Sequence, residues 1–172
     1  MGARHSYAPG MKLFRWRSRD EAGRTPLTQA TALYQAGRYA EAEAEARSVA
    51  ARSRSRSDTY APLALAIAAL AAGARGRHAD AVSTYDALLP VAGRIFGAEH
   101  PQTLKLRSDR AQALTSLARY AECEAECAAV ARIAARGAGP DMPLIATAAR
   151  NGQIYALTAL GRHPEAEALG LV

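Results

Sequence analysis

The residues of this 172-residue chain that most readily support chemistry are two cysteines and four histidines. Cys123 and Cys127 are four positions apart, so on a helix both thiols share one face and could bind a metal or act as a redox pair. Zinc takes four ligands at a structural site, and the chain has no third cysteine. The histidines are scattered along the chain, at His5, His78, His100 and His163. We therefore expect the cysteines to pack in a helical core, and we expect neither a metal nor another cofactor.

The sequence also lacks the arrangements that are typical of catalytic sites. His78 and His163 each follow an arginine, at a position that Tyr39 and Tyr120 occupy elsewhere, which favours ring stacking over acid–base catalysis. No serine, histidine and carboxylate stand at a defined spacing, and no glycine-rich phosphate loop is present. The sequence therefore predicts a protein that is not an enzyme.

The phrase that contains these rings occurs four times. It reads G-R-Y-A-E from Gly37, G-R-H-A-D from Gly76, A-R-Y-A-E from Ala118 and G-R-H-P-E from Gly161. Its arginines are 39, 42 and 43 residues apart, which falls within the range of about 20–50 residues that indicates stacked repeats. Alanine- and leucine-rich helical patterns lie before and after each phrase. The predicted unit is therefore a helix, a corner and a second helix.

These patterns predict four antiparallel helix hairpins. Their helices are expected at residues 25–37 and 39–52, 59–75 and 78–96, 101–118 and 120–136, and 142–160 and 164–169. The corresponding repeats span residues 25–57, 58–96, 97–138 and 139–172. Ser57 or Asp58 is expected to cap the second hairpin, and Pro101 suits the first turn of the third. The last helix has about two turns, so it depends on packing for its stability.

The corner phrases resemble those of tetratricopeptide repeats, and two linkers narrow the likeness. The stretch G-A-E-H-P-Q-T-L-K-L-R from Gly97 is similar to the phrase that opens a repeat in bacterial proteins of the kinesin light chain type, and G-P-D-M-P from Gly139 is similar to the same phrase. The resemblance covers about residues 25–169 and implies an all-α, right-handed solenoid of about four hairpins, the last one short. The family has an Arg-x-Asn pair on the first helix of a repeat, and here Asp109 and Gly152 stand in place of the asparagine. We therefore do not expect an asparagine that holds the backbone of a bound peptide.

Aligning the corners places short side chains where helices of such repeats cross. On the second helices, a small position falls on Ala42, Ala81, Cys123 and Ala166, and a larger position one turn later falls on Ala46, Tyr85, Cys127 and Gly170. On the first helices, the small position falls on Ala30, Ala69, Ala111 and Ile154. Short side chains let helix backbones approach closely. The alignment therefore gives both cysteines a packing role.

In the resemblance, the first helix of each hairpin lines the concave surface of the solenoid. By the alignment, that surface carries Leu27, Thr31, Tyr34, Leu70, Lys105, Ser108, Gln112, Thr115, Asn151, Tyr155 and Thr158. The set combines apolar and hydrogen-bonding side chains and contains no acidic residue, which suits an extended peptide or a partner helix. We therefore predict an adaptor or scaffold that binds a protein partner there.

Much of the net charge of +6 lies in a basic N-terminal extension, residues 1–24, ahead of the repeat domain at 25–172. Phe14 and Trp16 alternate there with Arg15 and Arg17. The alternative to an adaptor is a self-assembling structural protein, in which the extension docks on the repeats of its own chain or of a neighbour. The third alternative is an accessory protein whose extension binds nucleic acid or an anionic membrane surface. The apolar end of the last hairpin also predicts a homo-oligomer, because a solenoid needs polar caps.

Charge and hydropathy predict which helix faces meet solvent and in which compartment the protein lies. The acidic runs on the second helices, Glu41, Glu43 and Glu45 with Glu122, Glu124 and Glu126, are expected to face solvent. No apolar run reaches the length of about 20 residues that a membrane span needs, and no secretory signal or disulfide framework is evident. We therefore expect a cytoplasmic protein. Lysine occurs only at Lys12 and Lys105, and this preference for arginine favours a bacterial source.

Overall fold

The computed structural model describes residues 25–53 and 58–170, which form α-helices and no strand. The helices are α1 (Thr28–Gln35), α2 (Tyr39–Arg52), α3 (Tyr60–Ala74), α4 (His78–Ile95), α5 (Pro101–Ser116), α6 (Tyr120–Arg136), α7 (Met142–Ala159) and α8 (His163–Gly170). Consecutive helices pack as hairpins, and the first helix of each later hairpin also packs on the second helix of the hairpin before it. The predicted all-α solenoid with a short last hairpin is confirmed.

Some predictions concern residues outside the described part of the chain. The N-terminal extension with Phe14, Arg15, Trp16 and Arg17 lies outside it, as do Ser57 and the last two residues. The division into an extension and a repeat domain therefore stays a prediction. Within the two described ranges, no helix has the length and apolar character that a bilayer crossing requires.

The helix boundaries agree with the predicted ones to within about two residues, except at the start of α1. That helix begins at Thr28 rather than Thr25, because a turn around Pro26 precedes it and the Thr28 amide donates to the Thr25 carbonyl at 2.9 Å. The N-cap of α3 is Thr59, whose side chain makes no capping hydrogen bond, but Asp58 just before it accepts a hydrogen bond from the Tyr60 amide at 2.8 Å. The side chain of Asp58 thus orders the start of α3.

The repeated phrase is the sequence of a corner. In each copy the arginine binds the acidic residue three positions later, in the pairs Arg38–Glu41, Arg77–Asp80, Arg119–Glu122 and Arg162–Glu165. The residue before the arginine has a positive φ, which glycine adopts without strain. Ala118, with a φ of 56°, is the one corner residue that is not glycine. The turn and the ion pair together explain why the phrase recurs.

Of the four rings at the corners, only the two tyrosines make ring contacts with described residues. Tyr39 lies edge-on to Tyr34 of α1, with ring centroids 5.3 Å apart, and Tyr120 lies edge-on to Tyr155 at 6.3 Å. His78 and His163 make no ring contact with any described residue. The prediction of stacking was therefore wrong for these two histidines.

The predicted crossing positions form the core. Ala30, Ala69, Ala111, Ala42, Ala81 and Cys123 are all at most 1% exposed, and Ala166 is 6% exposed. The last hairpin differs, because Ile154 is only half-buried and Gly170 is exposed. The small side chains bring the helices together along most of the solenoid, as the alignment predicts.

The acidic runs do not all face solvent, and the prediction was wrong for Glu43, which is 6% exposed. Its carboxylate accepts hydrogen bonds from Arg47, from Arg75 at 2.8 Å and from Arg77. Burial raises the pKa of Glu43, but the hydrogen bonds from the three arginines outweigh it, so the pKa lies below its ordinary value. Glu43 is buried because this position of α2 faces the corner of the second hairpin.

Candidate partner-binding surface

The first helices α1, α3 and α5 border one shallow pocket. Its lining consists of Thr31, Tyr34, Leu63, Ala66, Ile67, Leu70, Gln102, Lys105, Leu106 and Asp109. We call these residues the first-helix pocket. Four of the residues predicted for the partner surface, Thr31, Tyr34, Leu70 and Lys105, lie together here and are half-buried. The structure thus brings side chains from three different hairpins into one site.

One wall of the pocket is polar and the floor is apolar. The floor comes from α3, whose alanine-rich sequence buries almost every residue between Pro62 and Ala72. On the wall, the Nζ atom of Lys105 donates to an Asp109 carboxylate oxygen at 3.1 Å. The two residues are one turn apart on α5, a spacing that brings such side chains together.

Asp109 is the acidic residue that the sequence interpretation left out of this surface. Its side chain is 16% exposed, and burial raises its pKa, which the charge of Lys105 and the hydrogen bond from it only partly oppose. Two signals in the sequence point to it. One is the Lys-x-x-x-Asp spacing, and the other is that Asp109 stands where the resemblance expects asparagine.

Two tyrosines share the electrostatic surroundings of Asp109. Tyr85 of α4 is 1% exposed, and its hydroxyl has no hydrogen-bond partner among the described residues. Burial, the negative charge of Asp109 and the nearby Tyr34 raise the pKa of Tyr85 well above its ordinary value. Burial likewise raises the pKa of Tyr34, with further contributions from Tyr39 and Asp109. Both phenols therefore stay protonated at neutral pH and keep a hydrogen to donate.

The other predicted surface residues lie outside this pocket. Leu27 is buried in a core cluster with Ala30 and Leu63, so it packs the hairpin and leaves little surface for a partner. The hydroxyls of Ser108, Thr115 and Thr158 donate to carbonyls of their own helices, at 3.1, 2.6 and 2.9 Å. Gln112, Asn151 and Tyr155 are exposed on α5 and α7.

The cysteine pair is part of the core. The sulfur atoms of Cys123 and Cys127 are 4.0 Å apart, and both side chains are buried. The hydrogen bond with Cys123 and burial raise the pKa of the Cys127 thiol. A Cβ atom on Gly152 of α7 would lie 2.8 Å from the Cys127 sulfur, so the two helices meet at this point. The predicted packing role of the cysteines is confirmed. In residues 25–53 and 58–170, no three histidine, cysteine or acidic side chains are grouped in a way that could hold a metal ion.

Comparison with known proteins shows a likeness of fold. No family model matches the chain, and no curated protein matches it. The chain is similar to a crystal structure of the nearly identical TPR-like repeats of a Podosopora anserina kinesin light chain. The TM-score is 0.72 at 22% identity, and the match covers 84% of this chain and 69% of that chain. A singly substituted form of the same protein has a TM-score of 0.73 at 21% identity, with the same coverage. The chain therefore has a TPR-like helical repeat fold, as the resemblance implies.

Proposed function

We propose that this chain is a non-catalytic adaptor or scaffold, and that its first-helix pocket binds an extended peptide or a partner helix. The observation that carries the proposal is the pocket itself, in which α1, α3 and α5 each contribute side chains to one continuous site. A site that spans three hairpins suits a ligand that runs across the helices, because such a ligand contacts each hairpin in turn.

The chemistry of the lining indicates what a ligand would place there. Ile67 and Leu70 offer apolar contact to an aliphatic or aromatic side chain, whose removal from water favours binding. Next to them, Lys105 offers hydrogen-bond donors and Asp109 offers acceptors. A peptide carries both kinds of group on its backbone, so an apolar anchor flanked by backbone amides matches the pocket.

Burial makes the polar wall selective. Asp109 is largely removed from water, so a ligand that brings no donor adds to the cost of its charge. A purely apolar ligand is therefore expected to bind less well than a peptide of the same size.

The proposal can be tested with peptides selected on the purified chain from a displayed random-peptide library. Leu70→Glu places a charge in the pocket, and we expect it to weaken binding of a selected peptide by about tenfold or more. Leu144→Glu is the matched control, since Leu144 of α7 is 49% exposed and lies outside the pocket. Fluorescence anisotropy gives the affinities, and circular dichroism checks that both variants remain helical.

The control should bind as the unchanged chain does. If selected peptides bind both variants with equal affinity, the first-helix pocket is not the partner site. If no peptide is enriched at all, the proposal that this surface recognises peptides fails.

A further inference from the structure

The junction between the third and fourth hairpins shows how one hairpin recognises the next. Glu124 of α6 accepts a hydrogen bond from the Gln153 side chain at 2.9 Å, and its other carboxylate oxygen lies 4.0 Å from Nη1 of Arg162. Gln153 is on the first helix of the fourth hairpin, and Arg162 is its corner arginine. The equivalent residue of the first hairpin, Glu43, binds Arg77, the corner arginine of the second. A glutamate five residues after one corner arginine therefore binds the next corner.

The last described hairpin carries the same glutamate. Glu167 of α8 stands five residues after Arg162, just as Glu124 stands five residues after Arg119. Glu167 is exposed, and no described residue binds it. Among the described helices, α8 packs only against α7, so the surface that would receive a first helix is uncovered.

The first hairpin carries the complementary pair. Gln29 of α1 stands nine residues before Arg38, as Gln153 stands nine residues before Arg162. Gln29 is exposed, and its side chain binds none of the described residues. The second and third hairpins have Ala68 and Arg110 at this position, so a glutamine there is found only in the first and fourth hairpins.

The geometry of the two corner arginines is also the same. Arg162 donates to Glu165 from Nε at 2.6 Å and from Nη2, which leaves Nη1 facing Glu124. Arg38 donates to Glu41 from Nε at 2.7 Å and from Nη2, so its Nη1 has no acceptor in the described part of the chain. The first hairpin thus presents donors equivalent to those that Gln153 and Arg162 direct at Glu124.

From this correspondence we propose that the outer surface of α8 docks on the α1–α2 hairpin of a second copy of this chain, with Glu167 bound to Gln29 and Arg38 of that copy. The two surfaces differ, so the contact is head-to-tail, and a further copy can add in the same way. The residues at the crossing point also fit. Gly170 of α8 is equivalent to Cys127 of α6, and Thr28 of α1 is equivalent to Gly152 of α7, and Cys127 and Gly152 meet inside the protein.

The contact is expected to be weak, because α8 has 8 residues where α6 has 17. Only the part of the junction nearest the corner is reproduced, and interfaces of that size belong to the transient class. Association should therefore depend on concentration, with dissociation constants on the order of 10 µM to 1 mM.

Sedimentation equilibrium of the full chain over a concentration series tests the proposal. The average mass should rise from the monomer value of 18.2 kDa without levelling off at a dimer. Glu167→Arg sets two positive charges against each other and should weaken association by about tenfold or more. Glu99→Arg is the control, since Glu99 lies between α4 and α5 in an ion pair with both side chains 67% exposed.

A charge swap tests the pairing itself. Arg38→Glu with Glu41→Arg keeps an ion pair within the corner but reverses the charge offered to Glu167, so association should be lost. Adding Glu167→Arg to that variant should restore it. If the swapped corner disturbs folding, Gln29→Glu gives a separate test. It changes an exposed site of α1 and should weaken association by itself.

Three results would overturn the proposal. The first is a monomer mass at every concentration, and the second is association that Glu167→Arg leaves unchanged. The third is a charge swap that folds, by circular dichroism, and yet is not rescued. The peptide-binding test of the first-helix pocket is independent of all three, since Glu167 and Arg38 do not line that pocket.

Discussion

The first and third junctions of the solenoid use the same glutamate in different surroundings. Glu43 is 6% exposed and binds three arginines, whereas Glu124 is half-buried and binds Gln153, with Arg162 at 4.0 Å. The corner phrase places both carboxylates, but residues outside the phrase decide how deeply each is buried. Two positions before the corner arginine, the second hairpin has Arg75, which binds Glu43, and the fourth hairpin has a leucine.

The same two junctions also divide the space between helices in opposite ways. In the first junction, small Ala46 of α2 packs in a cluster with large Ile67 of α3. In the third, the larger Cys127 of α6 meets Gly152 of α7. In each junction, one of the two residues is small and the other is larger. Similar repeats can therefore carry different residues as long as the sizes remain complementary.

Removing each glutamate should give the largest difference between the two junctions. Glu43→Ala removes an acceptor that is bound by three arginines, and we expect the free energy of unfolding to fall by about 2–3 kcal/mol. Glu124→Ala, the matched change in the third junction, should lower it by about 1 kcal/mol, because Glu124 has fewer and longer contacts. Urea unfolding followed by circular dichroism measures both values.

Both changes add alanine to a helix interior, so their effects on helix propensity are the same. Equal losses in the two variants would show that burial and the number of arginines make no difference. A loss that is larger for Glu124→Ala would reverse the comparison.

The sequence predicts most of the fold because the corner phrase is locally encoded. A residue with positive φ, the arginine and the acid three positions later act within one turn, so their spacing alone locates every corner. The burial of Glu43 was missed because it depends on Arg75 and Arg77, more than thirty residues away along the chain. An acidic residue on a polar helix looks solvated until the packing of the next hairpin is known.

The candidate site was predicted only in part for the same reason. The alignment places Tyr34, Leu70 and Lys105 on one surface, and these three do line one pocket. It gives no measure of which positions stay accessible, so it includes Leu27, which the core buries. It also leaves out Asp109, whose role depends on burial and on Lys105.

The next prediction concerns glycines inside two helices. Gly152→Ala would place a Cβ atom 2.8 Å from the Cys127 sulfur, so we expect the free energy of unfolding to fall by about 2 kcal/mol. Gly73→Ala in α3 would meet only ordinary contacts, the nearest at 3.8 Å to Ala81, and should raise stability by about 0.5–1 kcal/mol because alanine favours a helix. Thermal or urea unfolding distinguishes the two signs.

A rescue variant sharpens the test. Cys127→Ala removes the sulfur atom that the new methyl group would meet, so the double variant Cys127→Ala with Gly152→Ala should be more stable than the sum of the single changes predicts. If the two changes are simply additive, the close contact between α6 and α7 is not the cause. If Gly152→Ala is stabilising, the size complementarity of the third junction is wrong.

The smallest effect is expected from the opposite pH dependence of two carboxylates. The pKa of Glu43 is lowered, so its stabilisation is present above the ordinary glutamate pKa and is lost as the pH falls through the folded value. The pKa of Asp109 is raised, so its contribution is full below the ordinary aspartate pKa and is lost as the pH rises through the folded value. At neutral pH, Glu43→Gln should therefore be less stable than the unchanged chain, and Asp109→Asn should be more stable.

The Asp109→Asn difference should shrink as the pH falls to the ordinary aspartate pKa and below, whereas the Glu43→Gln difference should shrink only as the pH falls through the lowered folded-state pKa of Glu43. Urea midpoints of the three proteins at each pH give the two differences directly, and acid effects from other groups cancel between variant and parent. Arg47, Arg75 and Arg77 surround Glu43, whereas only Lys105 opposes the burial of Asp109, so the signs follow from the number of cations. If Asp109→Asn is less stable than its parent at neutral pH, Lys105 outweighs burial, and the polar wall of the first-helix pocket is a stabilising ion pair rather than a strained acceptor.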